Sequence, residues 1–267
     1  MIRKPVVADT FYPGGAERLE QQVRAFMTDM SKQERAVAIM VPHAGYVYSG
    51  QVAGQVYSQV KIPRDVIIIG PNHRGMGATH AIMSSGSWNM PLGRIEINEP
   101  LAQAVMKHSL TLRDDASAHR YEHSLEVQAP FLQVLRPDFQ LVPIVLSASS
   151  YDECKELGKA IADGIRDYGQ DVLMVASTDM THYEPHSEAQ KKDRFAIERI
   201  LELDPKGLMT TVLGRGISMC GVMPVTVVLE AALELGARSA RLVAYSTSGE
   251  TSGDYEQVVG YAGMIIS

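Results

Sequence analysis

Cysteine is nearly missing from this sequence: Cys154 and Cys220 are the only two in 267 residues. They lie far apart without metal-type spacing, which excludes a disulfide framework and fits a reducing interior. No uninterrupted apolar stretch approaches the roughly 20 residues of a membrane-spanning helix. Met1-Ile2-Arg3-Lys4-Pro5 leads into no apolar segment of the secretory kind. The net charge is −6, and no basic block or Arg-rich helix offsets it, which argues against a nucleic-acid partner. Neither a P-loop nor a G-x-G-x-x-G pattern occurs, so nucleotide binding has no support. A G-x-S-x-G elbow is missing too, and neither Cys220 nor Ser177 has an evident base partner in sequence, which leaves serine or cysteine hydrolysis weakly founded. There is no short-period repeat, low-complexity segment or linker. These absences point to one cytoplasmic domain spanning residues 1–267.

What is present alternates between two periods. Apolar runs at 36–41, 66–70, 140–146, 171–176, 241–245 and 258–266 read as strands. Helical patterns cover 16–30, with Leu19, Val23 and Phe26 on one face, and then 50–60, 99–108, 152–168, 188–203 and 224–235. Short strands at 78–82 and 94–97, around the Ser87–Gly93 stretch, read as a hairpin decorating the main sheet. Strand and helix alternate from residue 36 onward, which predicts an α/β fold with a largely parallel central sheet and helices on both faces.

The chemistry gathers after strands. Ala36–Val41 runs into Pro42-His43, and Val66–Gly70 into Pro71-Asn72-His73. The 171–176 strand runs into Ser177-Thr178-Asp179-Met180-Thr181-His182, and the 241–245 strand into the Ser/Thr/Gly/Glu loop at 246–254. Parallel strands end on one side, where open α/β sheets place their ligands. A single histidine there is more often a hydrogen-bonded loop residue, but repetition on independent strands has no packing reason. Two neutral imidazoles and a carboxylate are the ligand set of non-haem Fe(II) sites. Histidines left over can serve as acid, base or supporting groups. The polar stretch carrying His119, His123 and Glu126 is a candidate to join them, with His123 as a catalytic group. His80 and His108 lack such context and read as surface residues. Cys220, Gly45, Gly50 and Gly249 read as packing and turn residues.

With these residues assembled, the sequence resembles the Memo family, whose prokaryotic members are also called AmmeMemoRadiSam system protein B. The resemblance is carried by A-D-T-F-Y-P at 8–13, V-P-H-A-G-Y-V-Y-S-G at 41–50, G-P-N-H at 70–73 and H-S-L-E at 123–126. S-T-D-M-T-H at 177–182, T-S-G-E-T-S-G-D at 247–254 and V-V-G-Y-A-G at 258–263 complete it. It implies a fold related to class III extradiol dioxygenases, which hold Fe(II) by two histidines and a glutamate. It further implies His43 and His73 as metal ligands and His182, with Asp179, as pocket residues. Animal members have a metal-linked cysteine that this reading aligns with Thr251; Glu250 beside it then supplies a carboxylate ligand. The expected metal is Fe(II), with copper or zinc as alternatives. The expected partners are a radical-SAM protein, an AMMECR-like protein, and a small molecule or peptide. The alternative is an adaptor that keeps the fold without catalysis.

Overall fold

The computed structural model describes all 267 residues. Four parallel strands form its centre, in the spatial order Ala38–Val41, Val172–Ser177, Asp65–Pro71 and Gln140–Leu146. All are Val/Ile/Leu-rich and buried, as strands covered on both faces must be. Side-chain alternation divides them between two cores. Ala38, Met40, Ile67 and Ile69 face one, and Ile39, Val41, Val66 and Ile68 the other. The first core is filled by Leu101, Leu157, Ile161, Ile200, Leu208 and Val228, from helices within 99–234. The second takes Leu19, Val23, Val56, Tyr57 and Phe131 from helices within 16–135, together with Trp88.

The flanks run the other way. Val258–Ile266 pairs antiparallel with Ala38–Val41, Ala240–Thr247 and His182–Glu184, and His80–Ile82 pairs antiparallel with Gln140–Leu146. The parallel centre therefore sits inside a mixed nine-stranded sheet. The hairpin pairs Ser87–Met90 with Gly93–Glu96, not 78–82 with 94–97, and its further partner is Ile2–Arg3 in a separate three-stranded sheet. The predicted 78–82 strand joins the main sheet instead.

One predicted helix starts earlier than its sequence suggests. It runs Tyr46–Gln59, with Gly50 inside it rather than at a turn. A Cβ at Gly50 would lie 2.4 Å from Phe26 Cε2, and one at Gly54 2.4 Å from the Phe26 carbonyl oxygen. Both glycines therefore serve close approach to the Ala16–Phe26 helix. The Pro205–Gly214 helix escaped the periodicity reading. Its signal was Asp204 capping the Gly207 amide, with Pro205 in the first turn.

Candidate metal centre

His43 stands just past Ala38–Val41 and His73 just past Asp65–Pro71; His123 reaches them from the loop before Glu126–Gln128. Each offers one ligand atom within 4.8 Å of the others. The His73 and His123 rings stack at 4.8 Å between centroids, and His43 stands edge-on to both at 5.1 and 5.7 Å. Phe11, from the entry segment, packs its ring edge-on against His123 at 5.0 Å.

The hydrogen bonds decide which nitrogens are free. Ser177 Oγ donates its one proton to the Ser124 carbonyl at 2.6 Å and accepts from Gln128 Nε2 at 2.9 Å. Its contact with His43 Nδ1, at 3.0 Å, is then a second acceptance, so Nδ1 carries the hydrogen and Nε2 is bare. His73 Nδ1 lies 3.0 Å from Glu122 Oε1. An ionised carboxylate only accepts, so this ring too presents a bare Nε2. Glu122 also accepts the amides of His73, His123 and Ser124 at 2.6–2.8 Å. One segment, residues 122–128, thus orients His73 through Glu122 and His43 through the Ser124–Ser177–Gln128 cluster.

Burial, reinforced by the charge of His73, pushes the His43 pKa down to about 3. Burial and His43 push His123 down to about 4. Both rings are neutral near pH 7, the state a metal requires. Burial opposes ionisation of Glu122, but the hydrogen bond and charge of His73 and the Ser124 amide outweigh it and hold its pKa at about 2.

Asp179 is buried behind His43: Oδ1 takes the His43 amide at 2.7 Å, and Oδ2 lies 4.0 Å from Nε2. Burial pushes its carboxyl up, toward the protonated form. His182 is half-buried at the rim; its Nδ1 is 2.9 Å from the Ser218 carbonyl, which can only accept. It lies near enough for its charge to act on both His43 and Asp179.

Several expectations need correcting. Glu250 is not among the groups gathered at the imidazoles; it is exposed in the short Gly249–Ser252 helix and accepts the Thr247 amide at 3.2 Å. Thr251 belongs to the same exposed helix. Glu126 is buried but ties down the entry segment instead of joining the centre. His80 is not a surface residue: it is 3% exposed and bonded at both ring nitrogens. Cys220, read as packing, holds Sγ 3.3 Å from His43 Nε2 and accepts the Asp179 amide at 3.3 Å. Burial pushes this thiol up to about 12, the reverse of the activation a helix start can confer. Sequence reasoning also missed Glu122, although its place next to His123 was a usable signal. His119 is buried with neither ring nitrogen in a hydrogen bond. Ala81's backbone lies near it but out of bonding alignment.

The donor set fits a transition-metal ion. Bonds of about 2.1 Å hold tetrahedral ligand atoms about 3.4 Å apart, so atoms now within 4.8 Å of one another need to close by about 1.4 Å at most, within reach of side-chain rotation. Outward-tied Nδ1–H groups are the usual support of metal-bound imidazoles. The thiol adds a soft donor, which suits iron, copper or zinc over magnesium or calcium.

Known proteins agree with the sequence motifs. The profile of a family described as Memo-like protein matches residues 3–265. A MEMO1 family protein of Pyrobaculum arsenaticum is 43% identical over 276 residues, covering 99% of this chain and 98% of the relative. Those of Methanopyrus kandleri and Aquifex aeolicus are 40% and 41% identical, again with 99% of this chain covered and 99% and 98% of the relatives. An uncharacterized protein from Escherichia coli K12 shares the fold at a TM-score of 0.59 with 14% identity, over 86% of this chain and 100% of that one. No helix here is long and apolar enough to cross a membrane. On its motifs, its whole-length profile match and these relatives, the chain belongs to the Memo family.

Proposed function

We propose that this chain binds one transition-metal ion, Fe(II) in the first instance with copper or zinc as alternatives, and that with iron or copper it acts as an oxidoreductase on a small molecule. The observation that supports this most is the pair of bare Nε2 atoms on His43 and His73, each fixed by a partner at Nδ1. His123 or Cys220 completes the set. A bound ion would supply Lewis acidity and, as iron or copper, a one-electron couple. The protein's own groups handle protons. Asp179, which burial drives toward its acid form, can hold one beside His43. His182, with its Nδ1 tied to Ser218, presents Nε2 as an acceptor. Phe11 covers one side of His123 and restricts solvent there.

Elemental analysis of anaerobically purified protein tests the ligand set. Near-stoichiometric iron or copper in the wild type, falling below a tenth of that in a folded His43→Ala/His73→Ala variant, is the expected result. Unchanged metal in that variant overturns the assignment. Comparing His123→Ala with Cys220→Ala then identifies the third donor, since only loss of a true ligand weakens metal retention strongly.

A further inference from the structure

A second chain of polar groups lies on the other side of the parallel centre. Antiparallel pairing sets His80 opposite Leu146, the last residue of Gln140–Leu146, and Ser149 follows three residues later. On the outer side, Ala81 pairs with Arg113, which brings Thr111 alongside. The sheet register thus collects three segments distant in sequence. His80 Nε2 lies 2.7 Å from Ser149 Oγ, and His80 Nδ1 lies 2.9 Å from Thr111 Oγ1. Thr111 Oγ1 in turn donates to Glu156 Oε2 at 3.2 Å. Glu156 is held by the Leu110 amide at 2.7 Å and by Ser109 Oγ at 3.3 Å.

Proton counting gives this chain a direction. With its one proton committed to the Glu156 carboxylate, Thr111 can only accept from His80, so Nδ1 carries the hydrogen. Nε2 is then bare and faces the Ser149 hydroxyl. That hydroxyl has a competing acceptor in the Ser147 carbonyl, but at 3.1 Å this is the longer contact. A hydroxyl, a base at hydrogen-bond distance and a third group orienting the base are the parts of an activated nucleophile. Burial lowers the His80 pKa, so the ring is neutral and able to accept a proton near pH 7. Ser149 itself is only half-buried. Immediately after it, Tyr151–Tyr168 begins, and the first amides of a helix have no carbonyl within it to bond. A capping box takes the Ser150 and Glu153 amides, which leaves the Tyr151 and Asp152 amides of this first turn as donors for an oxyanion beside Ser149.

We propose that Ser149, His80, Thr111 and Glu156 form a nucleophilic centre, independent of the metal site, that reacts with uncharged, activated acyl esters. Glu153 and Glu156 lie near enough for their charge to act on His80, which disfavours anionic acyl groups. In the acylation step Ser149 Oγ bonds to the acyl carbon and the ester C–O bond breaks. The Oγ proton passes to His80 Nε2 and from there to the departing alkoxide. Water then attacks the acyl-serine carbon, giving its proton to His80, and Ser149 leaves with that proton; the products are an alcohol and a carboxylic acid.

The test is labelling of the full-length protein with a fluorophosphonate at pH 8 in the presence of EDTA, read by intact mass and peptide mapping. The expected result is a single adduct at Ser149, lost in Ser149→Ala and slowed about 100-fold or more in His80→Gln. Thr111→Val, which leaves the nucleophile and base in place, slows labelling and changes its pH profile. His43→Ala/His73→Ala labels at the wild-type rate, so failure of the metal assignment leaves this result standing. Absence of the Ser149 adduct on native protein overturns the proposal. So does an unchanged rate in His80→Gln or, where that variant is unfolded, an unchanged rate and pH profile in Thr111→Val. Either outcome reduces the chain to a loop anchor.

Discussion

Glu122 and Glu126 stand four residues apart in one segment, both essentially without solvent and both accepting several hydrogen bonds. Their partners separate them. Glu126 takes the Val6 and Val7 amides, the Tyr12 hydroxyl at 2.5 Å and the Arg3 guanidinium at 2.7 Å, with Arg3 also stacked over Trp88 at 4.2 Å. Every one of those partners lies in the first 12 residues or covers them, so Glu126 holds the entry segment to the core. Glu122 takes two histidine amides and one imidazole, so it aims the candidate ligands. The same side chain under the same burial thus does mechanical work beside a permanent cation and chemical work beside titratable rings.

Acid exposes the imidazole half of this contrast and has the largest expected effect. His43 and His119 are held down to about 3 and His123 to about 4, each first of all by burial. Their unfolded value is about 6.5, so between these limits the unfolded chain binds protons that the native chain refuses. Stability contributed by these rings is complete above about pH 6.5 and falls as the pH drops. Near pH 5 three such rings give a slope of about 4 kcal/mol per pH unit in metal-free protein. Denaturant unfolding at pH 5 and 7 measures it. A flat profile refutes the burial argument for all three.

Removing Glu126 tests the mechanical half. Glu126→Ala leaves Arg3 buried without its counter-charge and is expected to cost about 3–5 kcal/mol of unfolding free energy. If the two glutamates are as different as their partners, metal affinity per folded molecule stays unchanged in that variant. Glu122→Ala is the converse. It frees both His73 and His123, and loss of such a supporting carboxylate weakens metal binding about 10- to 100-fold, measured by competition with a chelating dye. Smallest of all is Glu122→Gln, whose amide oxygen still accepts from His73 Nδ1; a loss of less than about tenfold separates the role of geometry from that of charge. Equal metal losses in the Glu122 and Glu126 variants erase the distinction.

Much of the frame was legible in the sequence. The 140–146, 258–266 and 99–108 elements were read to the residue, because their apolar period is unbroken and their ends are marked. The Tyr46–Gln59 start was hidden because glycine normally interrupts a helix; only the neighbouring Phe26 explains why two are needed inside one. His43 and His73 could be picked out because each follows a buried strand of the same direction, which sends both to one rim. Glu250 could be named only by motif position, and its loop hangs from the antiparallel flank, away from the rings. Cys220 and Glu122 carry no periodic signal at all. Their roles arise from contacts across long sequence separations, such as the one between Cys220 and His43.

Local stretches of residues suffice to set the parallel centre, the helices that sheathe it and the side of the sheet to which His43 and His73 are sent. Hydrophobic period and strand direction are properties of local stretches, and they survive without knowing any neighbour. Tertiary structure alone decided that His123 and Cys220 meet those imidazoles, that Glu122 rather than Glu126 steers them, and that His80 faces Ser149. A hydrogen bond acts over about 3 Å, and only folding brings such partners within that reach.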